Sequence, residues 1–262
     1  MMGTFVEIGV HGKQNSNRLA AIEQAFLKIN EIDQLMSFHH PTSDLSRLNL
    51  APVKQWIMVS AKTLRVLKLS LKLQKKSDGI FNVAIAQSLV NWNLLPGVSR
   101  TLSFRNFANP AFEIKGKKVR KLTLNKIDLG GIAKGFAVDQ ACSILQRNLK
   151  GISGYVNAGG DLRVFGRRIH KIHIRGEKKA TGNFAVINLK NASIATSSSD
   201  SFAVSPYVQT NNGRPFLKNK TVFATAKSCA LADGFTKIAL MGSTSLVETL
   251  SKNLNIKWGQ VI

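Results

Sequence analysis

The stretch DLGGIAKGFAVDQA at 128–141 places Gly130, Gly131, Ala133, Lys134 and Gly135 where a strand end runs into a helix. A helix start leaves backbone N–H groups unpaired and carries partial positive charge. Small residues let an anion approach that backbone, and Lys134 adds a formal charge one turn in. The chemistry this spacing suits is capture of a phosphate-bearing ligand. The stretch is neither a GxGxxG fingerprint nor a Walker A loop, so alone it does not choose the ligand. Asp139 lies off the row of Lys134 on a helix of ~3.6 residues per turn, and is expected to face a different part of that ligand.

Two further small-residue clusters follow. NAGGD (157–161) offers Gly159, Gly160 and Asp161 at a turn, and ATSSSD (195–200) offers the hydroxyls of Thr196 and Ser197. Asp233 follows the apolar run CALA and reads equally well as a helix cap or a site carboxylate. Cys142 and Cys229 make no disulfide framework and read as small buried hydrophobes.

The elements that must position these residues mix both periodicities. Residues 4–12 alternate and end on glycine, as a strand does. In 16–38, Leu19, Ile22, Phe26, Ile29 and Ile32 predict one apolar helix face, capped by Ser16 or Asn17. Ser60 caps a second expected helix that stops at Gly79, with Leu64, Leu67 and Leu71 inside and Lys62, Arg65, Lys68 and Lys72 outside. Residues 93–126 read as loop and short strand, and 131–149 as the third helix. Glycine-punctuated β pieces occupy 154–166, 170–176, 183–200 and 221–226. Two late helices at 229–241 and 245–254 precede a closing strand at 256–262. Helices grouped among hairpin-like strands predict an α+β fold, mostly antiparallel sheets with packed helices, in one domain over 1–262.

These segments, in this order, resemble the ApbE family, flavin transferases that move FMN from FAD to a threonine or serine of a target protein. The resemblance is carried by MGT (2–4), MSFHHPTSDLSRLN (36–49), FNVAIAQSLVNW (81–92), DLGGIAKGFAVD (128–139), VNAGGDLRVFG (156–166), IATSSSD (194–200) and LADGFTK (231–237). It implies FAD and a target flavoprotein as partners, with release of AMP. It also implies FAD contacts from Met2, Gly3, His39, Ser43, Gly130, Gly131, Lys134, Asp139, Gly159, Gly160, Asp161, Thr196 and Ser197. Asp139 would lie near the adenosine, and His39 stands where the family usually has a tyrosine stacking on the flavin. Asp233 would be the catalytic carboxylate. The resemblance further implies a Mg²⁺ ion held by the Ala133 carbonyl, Asp233 and, through an altered helix start, Thr236.

Two departures qualify that expectation. The family's metal helix has a threonine four residues after the aspartate, and here that position is Lys237. An ammonium cannot ligate Mg²⁺ but can take its place beside Asp233. The family's His-x-x-Asp-Pro segment is also lost, the histidine falling on Pro206 and Asp-Pro on Gln209 and Thr210. An FAD-binding relative that transfers nothing is therefore the alternative reading.

The 262 residues carry 37 Lys and Arg against 14 Asp and Glu, a net charge of +23, which attracts anionic partners. The basic residues are scattered over 72–76, 115–121, 167–179 and 218–220, without interleaved aromatics, so no specific nucleic-acid site is expected. No run reaches the ~18 apolar residues of a membrane span. The first residues lack a signal-peptide pattern, so the expected location is cytoplasmic, or exported with the signal already removed.

Overall fold

A computed structural model describes residues 2–13, 15–98, 110–175, 184–199 and 206–261. The central part of the expected 93–126 loop, Gly176, the start of 183–200, Asp200 and Ile262 lie outside the described residues. The first half of the chain runs β1 (Val6–Val10), α1 (Ser16–Met36), α2 (Asp44–Leu50), β2 (Ile57–Met58), α3 (Ala61–Lys76), α4 (Ala86–Asn91), β3 (Phe112–Lys115) and β4 (Lys118–Lys121). The second half runs α5 (Ala133–Asn148), β5 (Gly154–Ala158), β6 (Asp161–Phe165), β7 (His170–Arg175), β8 (Phe184–Leu189), β9 (Ser193–Ser198), β10 (Thr221–Ala226), α6 (Cys229–Met241), α7 (Thr244–Leu254) and β11 (Lys257–Val261).

The fold is α+β. Six strands form an antiparallel sheet in the order β1-β5-β6-β9-β10-β11. A three-stranded sheet, β2-β4-β3, and the hairpin β7-β8 complete it. The turn between β5 and β6 is the pair Gly159–Gly160, with φ of +61° and +94°. Two consecutive positive φ values make the tight hairpin turn that glycine permits. Space requires glycine there too: a Cβ at Gly159 would lie 2.3 Å from Thr4 Oγ1, and one at Gly160 2.8 Å from Thr196 Oγ1.

Among the helices, α1, α5 and α6 contribute most to the main core. On α1 the buried face is Ala21, Ala25, Ile29, Ile32 and Met36, while Leu19 is exposed. The expected face is thus rotated, because the alanines let α1 lie close to α5. Its cap is Asn15, whose Oδ1 accepts from the Arg18 N–H at 2.9 Å, one residue before the expected pair. Ser60 caps α3 as expected, accepting from Thr63 N–H at 3.1 Å. Helices α2 and α4, of 7 and 6 residues, escaped the sequence reading because so short a segment shows no period. Cys142 and Cys229 are fully buried, and burial pushes the Cys142 thiol up to about 12. Among the described residues, no helix is long and apolar enough to cross a membrane.

Helices α5 and α6 cross at Gly135. A Cβ there would lie 2.5 Å from the Cys229 carbonyl oxygen and 2.8 Å from Ala230 Cα. Helix propensity alone favours Ala over Gly by ~1 kcal/mol. Gly135→Ala is nevertheless expected to destabilise the protein, by about 1–3 kcal/mol, because the methyl forces the helices apart. Urea unfolding checks the sign: a more stable variant would mean that the crossing is looser than described.

Candidate functional site

The DLGG segment is held from below by Asn49 of α2. Its Nδ2 donates to the Ile127 carbonyl and its Oδ1 accepts from the Ile127 N–H, both at 2.7 Å. Ser43 caps α2, accepting from Ser46 N–H at 2.9 Å, and its own hydroxyl donates to the Ser37 carbonyl at 2.8 Å. Asp44 accepts from Ser60 N–H at 2.8 Å and Thr63 Oγ1 at 2.7 Å, which anchors the start of α3. The polar residues of 43–49 thus build the scaffold behind the site.

Downstream of Asn49's clamp, four backbone N–H groups around the start of α5 are consumed internally. Those of Ile132 and Ala133 donate to the Leu129 carbonyl at 3.0 and 2.8 Å. That of Gly135 donates to Asp233 Oδ2 at 3.1 Å. Gly130 N–H donates to Asp128 Oδ2 at 3.0 Å. The expected phosphate cradle of free amides is therefore largely closed, and the positive charge at this place comes from side chains.

Asp233, fully buried on α6, organises those side chains. Its Oδ1 accepts from Lys237 Nζ one turn on. Lys237 Nζ also lies 3.3 Å from Thr236 Oγ1. The Thr236 hydroxyl donates to the Asp233 carbonyl at 2.7 Å and lies 2.7 Å from Ser197 Oγ. Lys134 Nζ donates to the Gly130 carbonyl at 3.1 Å and stands 3.3 Å from Asp161 Oδ2. Burial raises the Asp233 carboxyl, but the ammonium groups of Lys134 and Lys237 outweigh it and hold the group ionised below its ordinary range. Asp233 and Asp161 in turn raise Lys134 above the ordinary lysine range. Burial, reinforced by the Asp233 charge, pushes Asp161 up to about 7.

Lys134, Lys237, Asp161 and Ser197 from this cluster line a cleft of about 510 Å³. Gly130, Gly131, Lys134, Gly159, Asp161, Thr196 and Ser197, all named from sequence, are on its wall. Others named from sequence sit elsewhere. Asp139 points into the fold: its carboxylate accepts from Ser228 Oγ at 2.7 Å, Cys229 N–H at 2.9 Å and Ala230 N–H at 3.0 Å, and pairs with Arg163. It supplements Ser228, the N-cap of α6, by accepting from the first two amides of that helix. Met2 N–H donates to Asp33 Oδ2 at 3.0 Å, and Met2 and Gly3, with positive φ, lead into β1. His39 is exposed on its loop, and Gly160, Ala133, Asp233, Thr236 and Ser43 are likewise off the cleft wall. Pro206, named from sequence only as the place of a lost histidine, is also on the wall, and the sequence reading did not single out Phe81, Asn82, Asp128 and Tyr207, which line the cleft as well. Tyr207 is one of two tyrosines in the chain, which was the one signal available.

Mg²⁺ needs near-octahedral oxygen ligands at ~2.0–2.1 Å. Here one Asp233 oxygen holds an ammonium and the other an N–H, while Thr236 is bonded to a carbonyl, a hydroxyl and that ammonium. The donor set expected from sequence therefore does not fit a divalent ion.

The ApbE family model matches residues 2–257. The chain belongs to the ApbE family. It is 29% identical over 240 residues to an FAD:protein FMN transferase of Vibrio cholerae, covering 82% of this chain and 71% of that protein. It is 23% identical over 271 residues to the protein of the same description from Buchnera aphidicola, covering 92% and 77%. In fold it is similar to the flavin transferase ApbE from Vibrio cholerae, with a TM-score of 0.84 at 23% identity over 99% of this chain and 90% of that one. The apo flavinyl transferase ApbE of Pseudomonas stutzeri gives 0.81 at 20% identity, over 99% and 91%.

The raised Asp161 has a consequence for stability. Between its ordinary value of 3.8 and about 7, the unfolded chain loses this proton while the folded protein keeps it. Stability from this group therefore falls as pH rises through that window and levels off above it. Asp161→Asn removes the fall. Urea midpoints of the two proteins should show the variant gaining on the parent from pH 4.5 to pH 7.5; parallel curves would place the Asp161 titration outside the window.

Proposed function

We propose that this ApbE-family chain is an FAD:protein FMN transferase. The observation that carries the reading is the family match over residues 2–257, together with a cleft that gathers Gly130, Gly131, Lys134, Gly159, Asp161, Thr196 and Ser197. FAD is a pyrophosphate between two ring systems. Lys134 and Lys237 face the cleft as cations for the pyrophosphate, and Phe81 and Tyr207 offer ring surface for the flavin. Thr196 and Ser197, also on the wall, add hydroxyl groups.

In the proposed reaction the hydroxyl oxygen of an acceptor Thr or Ser bonds to the flavin-side phosphorus. The phosphorus–oxygen bond to the AMP portion breaks, AMP leaves and the hydroxyl proton is released. The protein's part is to hold the pyrophosphate against fixed positive charge and to admit the acceptor from the open side. A second reading, FAD binding without transfer, has one observation in its favour: Pro206, on the cleft wall, stands where the family pattern has a histidine.

Incubation with FAD and a set of Thr- and Ser-bearing acceptor proteins should yield one AMP per FMN attached, by chromatography and mass spectrometry. Tight FAD binding with no AMP under every condition would instead select the second reading. Calorimetry should find FAD bound more tightly than riboflavin. Lys134→Met should weaken FAD by about tenfold or more while leaving riboflavin little changed, since a charge-assisted contact is lost. Equal losses for both ligands would assign Lys134 a structural role alone.

A further inference from the structure

We infer that Lys237 is a built-in cation: its ammonium, fixed on Asp233, supplies the positive charge that a bound divalent ion would otherwise bring to a pyrophosphate in the cleft. The inference rests on the proposed FAD reading and concerns how this chain meets the ligand's charge.

Three independent observations converge on it. First, the ammonium is positioned rather than mobile. Lys237 Nζ contacts Asp233 Oδ1 and lies 3.3 Å from Thr236 Oγ1, and its side chain is only 12% exposed. Its stem runs beside the glycine turn, where a Cβ on Gly131 would lie 3.5 Å from Lys237 Cε. Second, an ammonium has three N–H donors. One goes to Asp233 and one faces Thr236, which leaves a third for an acceptor in the cleft that Lys237 lines. Third, little else at this place supplies free positive charge. The Ala133 and Gly135 amides of α5 are taken by Leu129 and Asp233, so Lys134 and Lys237 are the formal positive charges on the cleft wall.

The same geometry works against a metal. A divalent ion on Asp233 Oδ1 would share that oxygen with an ammonium, and the two cations would repel at contact distance. One ammonium carries half the formal charge of Mg²⁺ and cannot polarise phosphorus as strongly, but it suffices to hold a phosphate oxygen.

FAD affinity of the unaltered protein, measured by flavin fluorescence in excess EDTA and again in millimolar Mg²⁺, should agree within about twofold. Mn²⁺ titration followed by electron paramagnetic resonance should show no tight site in the absence of FAD. Lys237→Met should lower FAD affinity about 10- to 100-fold in EDTA with riboflavin affinity unchanged. Lys237→Thr should create tight Mn²⁺ binding that the parent lacks. Binding of FAD that requires Mg²⁺ in the unaltered protein would overturn the inference and leave the proposed function standing. Tight Mn²⁺ binding by the unaltered protein, or a Lys237→Met variant that loses riboflavin as much as FAD, would also overturn it. Absence of FAD binding in both buffers would overturn the proposed function and this inference together. The measurements on the unaltered protein need no variant to fold.

Discussion

Two helices that cap each other hold this site together. Asp139, on α5, accepts the N–H groups of Cys229 and Ala230 at the start of α6. Asp233, on α6, accepts the N–H of Gly135 near the start of α5. Each carboxylate thus meets the partial positive end of the other helix, where an anion is most favourable. The exchange is possible because Gly135 lets the two backbones touch. Each carboxylate then reaches outward with its remaining capacity, Asp139 to Arg163 on β6 and Asp233 to Lys237. The sheet and the cleft are tied to the same crossing.

This arrangement explains why glycine and aspartate are dense in the two helix-start segments. Gly130 and Gly131 form a turn on the cleft wall, Gly135 serves the crossing, and Asp139 serves the cap. Residues close together in sequence have separate duties, and one ligand does not account for all of them. The same division holds in 43–49, where Ser43 and Asp44 fix helix starts and Asn49 clamps the segment, outside any strand, that carries Asp128. Much of what a motif preserves here is the backbone behind the site.

The sequence was legible where chemistry is local. Ser60 as a cap and the Gly-Gly turn depend on neighbours within a few residues, and they stand as read. It was not legible where distant segments compete for the same group. Asp139 is 91 residues from Ala230, and no spacing rule reveals that pairing. The amides at the start of α5 looked available because the carbonyl and carboxylate that occupy them arrive through tertiary packing. The α1 face was read in part: Ile29 and Ile32 are buried as expected, but Leu19 is exposed and Ala21 and Ala25 take the contact, since close helix packing selects alanine. Lys237 was readable as a departure because it stands one helical turn after Asp233, and the structure pairs the two.

The burial of Asp233 also shapes how such a site changes over evolutionary time. A neutral side chain at position 237 would leave a fully buried carboxylate with one N–H partner and a more distant ammonium at Lys134. Lys134, whose charge holds Asp233 down more strongly than that of Lys237, would remain, so the cost stays below the ~3–5 kcal/mol of a wholly unpaired buried charge but is still sizeable against the ~5–15 kcal/mol that holds a protein folded. Single substitutions at 237 are therefore filtered first by folding, before any question of turnover arises. A lineage leaves lysine safely only when something else neutralises Asp233 in the same step, such as an ion recruited from solution or a second substitution. The position works as a ratchet: the identity of the cation, once internal to the chain, is protected by the stability of the fold.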